Sequence, residues 1–529
     1  MHLSPALESW LLEHADSLHG MLRGLEKESL RIDARGHLAR SAHPQGLGSA
    51  LTHPQITTDY SEALIELITP ALPNIEAALQ HLDDLHTYVY RHLGEELLWP
   101  HSMPCLLGPD DEIPLAQYGS SNSGRMKTLY RQGLGLRYGR RMQTIAGIHY
   151  NLSLPESFWI ERAAYLHWDA PLQDLKSRDY FHLVRNFQRH SWLLLYLYGA
   201  SPAVCASFLE GRPHPLQRTS THTLYLPHAT SLRMSDIGYQ NSVQANLTVS
   251  YNDLKGYIHD LDAAIRTPYP PFEALGICDS EGQRQQISGN ILQIENEYYS
   301  LIRPKRTVHR GERPSLALHR RGVEYVELRC VDLNPFAERG IDAEAAHFLE
   351  VFAVHMLLMD SPCFHTQERV LLSENQRRMV QEGRRPGLRL VAESGEFDAR
   401  QQALTLMEAM RPVAHALDQA YAETGYSQAL AAYRLRLIEP ERCWSARILD
   451  LILPEQASFF EFGLEVAERT AAHYRQAPLD SAPQQALDAL AAASLQQQHD
   501  LEQAEPSDLD SYLRRYFEPP LNTRAPEPC

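Results

Sequence analysis

Glu26 and Glu28, in the run GLEKESLRI, stand two residues apart in a stretch that reads as extended chain. Alternate residues of a strand share one face, so both carboxylates can serve one cation. Such a spacing recurs by chance in a chain with 66 acidic residues among 529, so its weight lies in its companions. TTDYSEALIELITP carries Asp59 and Glu66, GIHYNLSLP carries His149, and GVEYVELRCVDLNP carries Glu327 two residues from Arg329. Carboxylates with a single imidazole suit Mg²⁺, with Mn²⁺ as an alternative, whereas zinc sites take more His or Cys. Magnesium held by carboxylates ordinarily serves phosphate chemistry, which also calls for cationic side chains. Arg329, Arg233 in SLRMSDIGY and Arg131 in TLYRQGL are the first candidates. Arg303, Lys305 and Arg306 in LIRPKRTVHRGERP form a second cationic stretch, read equally well as a phosphate contact or a solvated loop. Taken singly, each acid is more often a surface group than a ligand, and His149 is one of 26 histidines.

The acidic candidates all sit in short runs rich in Val, Ile, Tyr, Leu and Thr, bounded by Gly or Pro, which is the composition of strands. Strand-like runs cluster at 22–69, 143–154, 224–250 and 286–333. Helical periodicity is clearest at 5–22, 75–93, 343–359, 402–421 and 484–503. Strands and helices alternate irregularly, without the βαβ rhythm of a doubly wound sheet, so an α+β fold around a largely antiparallel sheet is predicted. One catalytic unit over 1–529 is expected, with a sheet-containing core to about 397, a mostly helical region over about 398–516 and a loosely ordered tail at 517–529. Gly133, Gly135 and Gly139 in GLGLRYGR read as a turn.

A net charge of −17 argues against non-specific binding to nucleic acid or an anionic membrane. Seven scattered cysteines without a CxxC pair indicate neither a disulfide framework nor a zinc knuckle, and the N-terminus lacks a secretory pattern, so a cytoplasmic location is expected. There is no GxxxxGK[ST], GxGxxG, HExxH or GxSxG, so any phosphates must be held by metals and side chains. The residues alone thus point to metal-dependent phosphoryl transfer without naming its substrates.

At these same residues the chain resembles the proteobacterial type of glutamate-cysteine ligase, a branch of the glutamine synthetase superfamily. The likeness runs through RGLEKESLRI, LGSALTHPQITTDYSEALIELITP, WPHSMPC, LAQYGSSNSGRMKTLYRQGL, MQTIAGIHYNLSLP, ATSLRMSDIGY, NILQIENEYYSLIRPKR, VEYVELRCVDLNPF and CWSARIL, in order from Arg23 to Leu449. It implies an ATP-dependent ligase that phosphorylates the γ-carboxylate of glutamate and passes the acyl group to the amine of cysteine. It further implies Glu26, Glu28, Asp59, Glu66, His149 and Glu327 as metal ligands and Arg233 and Arg329 as catalytic cations. Arg131 would hold glutamate, and Tyr60, Tyr130, Leu134, Gln143, Tyr239 and Tyr299 would form the cysteine pocket. Relatives often carry Phe at position 60. Feedback by glutathione and a monomeric state are carried over from the family. A different acceptor amine and a nucleotide- or amino-acid-binding sensor without turnover are the competing readings. On acidification, His149 should lose its ligand role towards an imidazole pKa of about 6.5 and the carboxylates only in stronger acid.

Overall fold

The computed structural model describes residues 1–238, 247–453, 458–504, 508–518 and 521. Its centre is a seven-stranded sheet of β1 (Leu22–Ile32), β2 (Ile56–Thr58), β3 (Leu64–Ile68), β4 (Leu97–Leu98), β5 (Ile148–Ser153), β6 (Ile302–Lys305) and β7 (Tyr325–Val331). The strand order is β2-β3-β1-β5-β7-β6, with β4 paired to the far end of β1. Every pairing is antiparallel. The fold is therefore α+β with an antiparallel sheet.

Alternation along the strands divides the sheet into an apolar and a polar face. Leu25, Ile65, Leu67, Ile148, Leu152, Val326 and Leu328 are buried on one side, where α1 (Ile75–Tyr90), α3 (Leu172–Leu197) and α4 (Ala343–Leu358) pack. The opposite face carries Glu26, Glu28, Glu66, His149 and Glu327. Lys27, between two acids of the polar face, points to the apolar one, where its Nζ lies 3.0 Å from Ser29 Oγ and 2.8 Å from His86 Nε2 of α1. Arg23, two pleats earlier on that side, donates to both carboxylate oxygens of Glu350 in α4 at 2.8 and 2.9 Å. Tyr150 and Tyr426 donate to the same carboxylate at 2.6 and 2.8 Å. A buried charge needs such full satisfaction, and this network locks β1 and β5 to the helical layer.

Asn74 and Asp342 cap α1 and α4, accepting from Ala77 N at 2.7 Å and Ala345 N at 2.8 Å; such caps are each worth about 1 kcal/mol. From Ala399 to Phe517 the described chain is helical. The tail expected at 517–529 lies outside the described residues apart from Phe517, Glu518 and Leu521. No described helix is long and apolar enough to cross a membrane.

Two expectations need correction. Among its described residues the run 224–250 holds strand only at Leu224 and Tyr225, the end of Thr223–Tyr225 in a separate three-stranded sheet, because Pro227, Ser231, Ser235 and Asp236 break the alternation. The helix expected over 402–421 is two, Ala399–Ala409 and Arg411–Tyr421, since Pro412 has no N–H to continue the first.

Candidate active site

The polar face of the sheet floors a cleft of about 910 Å³. Strand register assembles its acids: Glu28 lies opposite Glu66 and Glu26 opposite His149. His149 Nδ1 is 3.0 Å from Glu26 Oε2 and 3.9 Å from Glu327 Oε1, while its Nε2 is 3.7 Å from Glu28 Oε1. Ligand atoms of Glu26, Glu66 and His149 all lie within 4.8 Å of one another. Asn151 donates to Glu26 Oε1 at 2.9 Å and Gly147 N to Glu28 Oε2 at 2.9 Å, which orients both carboxylates. Asp59 joins from the turn between β2 and β3, where its N–H donates to Leu64 O at 2.9 Å.

The acids are not electrostatically alike. Burial, then repulsion from Asp59, pushes Glu28 up to about 8. Burial, then Glu26, Asp59 and Glu28, drives Glu66 well above the usual carboxylate range. Glu327 is held well below that range, because Lys305 and Arg329 outweigh the cost of its burial. Burial, reinforced by Arg329, lowers His149, so its imidazole is neutral near neutral pH. The order expected from sequence, with histidine losing ligand capacity first and carboxylates only in strong acid, holds for Glu26 and Glu327, whose carboxyls are lowered, but not for Glu28 and Glu66. Burial penalises charge, so it raises acids and lowers histidine. Five carboxylates this close cannot all ionise unless cations enter among them. An oxygen-rich set with one neutral imidazole fits divalent ions of the magnesium and manganese type.

Cations stand along the same cleft. Arg329 NH1 is 3.2 Å from Glu327 Oε2 and Lys305 Nζ 3.2 Å from Glu327 Oε1. Arg303, opposite Glu327 in register, lines the cleft beside them. From α2 (Asn122–Tyr138) come Lys127 and Arg131, one helical turn apart; both stack over Tyr118, at 5.1 and 4.6 Å. Arg131 Nε also donates to the carbonyl of Asp59.

The family model of glutamate-cysteine ligase matches residues 9–379. The chain is 49% identical over 521 residues to glutamate–cysteine ligase of Alcanivorax borkumensis, covering 98% of this chain and 99% of that one. It is 48% identical over 515 residues to the enzyme of Azotobacter vinelandii, with 97% and 96% covered. The chain belongs to the glutamate-cysteine ligase family. A crystal structure of glutamate–cysteine ligase from Francisella tularensis in complex with AMP superposes with a TM-score of 0.89 at 36% identity, covering 94% of this chain and 98% of that one. A bifunctional glutathione synthetase from Pasteurella multocida superposes at 0.70 and 26% identity, with 90% of this chain and 55% of that one covered.

Tyr60, Tyr130, Arg131, Leu134, Gln143, Tyr299, Arg303, Lys305 and Arg329 all line the cleft of this glutamate-cysteine ligase family member, together with the six acid and histidine candidates. Tyr239 lies outside the described residues. Two candidates are elsewhere. Arg306, just past the end of β6, donates to Arg321 O at 2.9 Å and is 3.5 Å from Glu324, because the pleat turns it away from the face of Arg303 and Lys305. Arg233 is buried one layer beneath, donating to Arg329 O at 2.9 Å and lying 3.4 Å from Asp332. Its guanidinium packs so close to Gly147 that a Cβ there would meet NH2 at 2.1 Å.

The glycine-rich run expected as a turn is the C-terminal half of α2, ended by Gly139 at φ 82°. Gly133 and Gly135 serve close approach instead: added Cβ atoms would stand 2.1 Å from Gln293 Oε1 and 2.4 Å from the Tyr60 hydroxyl. That hydroxyl is buried without a hydrogen-bond partner among the described residues. Sequence reasoning missed Lys127, whose spacing from Arg131 becomes informative once α2 is recognised as a helix. It also missed Gln497 and Asp500 of α7 (Ser481–Ala504) and Tyr512 and Tyr516 of α8 (Leu509–Phe517), which reach the cleft from the far end of the chain.

Proposed function

We propose that this chain carries out the reaction of its family, the ATP-dependent joining of the γ-carboxylate of L-glutamate to the amine of L-cysteine. The γ-phosphoryl group of ATP passes to the γ-carboxylate and ADP leaves. The cysteine amine then attacks the acyl carbon, loses a proton and displaces phosphate, giving γ-glutamylcysteine, the first intermediate of glutathione synthesis. The observation that carries this reading is the meeting, in one cleft, of a carboxylate floor with a cationic wall. Both reacting partners are anions, and their approach is opposed at low dielectric unless positive charge surrounds them.

Glu26, Glu28, Asp59, Glu66, His149 and Glu327 would hold magnesium, or manganese in its place, which when bound neutralises phosphate and carboxylate charge. Arg329 faces the transferring phosphoryl group, and Arg303 and Lys305 extend the positive wall towards the phosphates. Arg233, beneath Arg329 and Glu28, is a positioning residue that sustains the same field. Arg131 holds the glutamate carboxylate. Tyr60, Tyr130, Leu134, Gln143 and Tyr299 form an aromatic slot suited to a small polarisable thiol side chain. The enzyme acts as a cytoplasmic monomer, without nucleic-acid or membrane partners, and is open to feedback by glutathione.

The test is ADP release from ATP, magnesium and glutamate, with and without cysteine, while mass spectrometry follows the product. Cysteine-dependent ADP matched by γ-glutamylcysteine is expected. ADP without that dipeptide would point to another acceptor amine, and ATP binding without turnover would overturn the enzymatic reading.

A further inference from the structure

A second group of potential ligands lies away from the cleft, none of its members lining it. Glu76 in the first turn of α1, His347 of α4 and Glu423, just after α5 (Arg411–Tyr421), bring ligand atoms within 4.8 Å of one another. His347 Nδ1 is 2.7 Å from Ala343 O. A carbonyl oxygen only accepts, so Nδ1 carries a hydrogen, and Nε2 is the ring nitrogen left to face other partners. That Nε2 lies 3.4 Å from Glu423 Oε1, on a side chain only 7% exposed, and makes no well-aligned hydrogen bond among the described residues. A buried nitrogen held between carboxylates calls for positive charge at that point, supplied either by a proton on Nε2 or by a cation between the three side chains.

The surroundings are shaped for that ring edge. Residue 425 is glycine, and a Cβ there would stand 2.7 Å from Nε2. Tyr426 meets the ring edge-on with centroids 4.6 Å apart. A histidine fixed through Nδ1–H to a backbone carbonyl, with Nε2 directed at acids, is the arrangement that orients metal-ligating imidazoles. We propose that Glu76, His347 and Glu423 form a separate site for a divalent cation of the zinc class, clamping α1, α4 and the α5–α6 connection, where α6 is Gly425–Ile438. One nitrogen donor among three, against one among six in the cleft, makes this the more borderline of the two sets, and so the one that zinc rather than magnesium would take. The 3.4 Å between Nε2 and Glu423 Oε1 already suits two ligands about 2.0 to 2.2 Å from one ion, and rotation of the exposed Glu76 side chain brings in the third. Tyr426 connects this site to Glu350, so an ion here would stiffen the network that anchors β1.

Equilibrium dialysis of the full chain against micromolar Zn²⁺, with magnesium in large excess to occupy the cleft, tests the assignment. His347→Gln is expected to bind one zinc ion fewer than the wild type. Glu76→Gln, altered at an exposed position that leaves folding intact, is expected to bind that ion at least about tenfold more weakly. Both variants keep wild-type turnover in a zinc-free assay, and zinc raises the melting temperature of the wild type but not of His347→Gln. Equal zinc counts and affinities in all three proteins would overturn the proposal. So would the absence of zinc uptake by the wild type, which would leave His347 as half of an ion pair.

Discussion

At the scale of single residues, the cleft is governed by how many negative charges one face can tolerate. Glu66 is pushed above the usual carboxylate range by burial and by three neighbouring acids, so it ionises fully only when cations enter. Glu66→Gln is expected to raise the magnesium concentration for half-maximal activity by about ten- to a hundredfold, read from a magnesium titration of turnover; full activity at limiting magnesium would remove Glu66 from the ligand set. Glu28, pushed up to about 8, holds its proton near neutral pH. Magnesium uptake there should release protons and tighten as pH rises through about 8. Calorimetry in two buffers of different ionisation enthalpy reads that release directly. The same shift has a definite sign for stability: the ion-free protein gains from the raised pKa below about 4.5, the ordinary Glu value, and loses that gain as pH rises through about 8. Glu26, Glu28 and His149 were legible as candidates because alternation is visible in sequence. The raised values of Glu28 and Glu66 were not, because they depend on burial and on which acids the fold brings together.

At the scale of elements, two contacts position the site. The Arg23–Glu350 pair joins β1 to α4 with both side chains fully buried. Glu350→Gln leaves an uncompensated guanidinium and is expected to cost about 3–5 kcal/mol in denaturant unfolding. Glu350 itself titrates below its ordinary value: burial opposes this, but Arg23 and the hydrogen bonds outweigh it. Its contribution is therefore present above about pH 4.5 and lost as pH falls through the lower folded value, so the gap between wild type and variant should shrink in acid. Gly135 is the second contact. Gly135→Ala would force a methyl group against the Tyr60 hydroxyl, and is expected to raise KM for cysteine several-fold with little change in KM for ATP. Equal effects on both substrates would separate Tyr60 from the cysteine pocket.

At the scale of the whole molecule, the two ends of the chain meet at the cleft. Helix α8 docks on α2 through Met126, Leu129, Ile287, Leu509 and Leu513, an apolar cluster separate from the main core. It delivers Tyr512 and Tyr516 to the cleft opposite the sheet. Replacing both tyrosines with alanine is expected to raise substrate KM values and to lower the melting temperature only modestly, since both rings pack against the docking cluster but its buried members remain. A large loss of stability without a kinetic change would make α8 a buttress rather than a wall of the site.

The sequence by itself determined the class of fold, the strands that carry acids, the family and the chemistry of charge neutralisation, because side-chain type and alternation are local properties. It also placed the long α1 and α4 correctly, since their periodicity is that of buried helices. The tertiary structure alone decided the rest. It set Arg233 beneath the cleft and Arg306 outside it, because neighbouring residues and not their own type direct those side chains. It turned a glycine-rich run into a helix flank open to Tyr60, and brought residues near 500 and 515 against a sheet that begins at Leu22. Contacts between such distant segments are set by shape and burial, which no local stretch of sequence encodes.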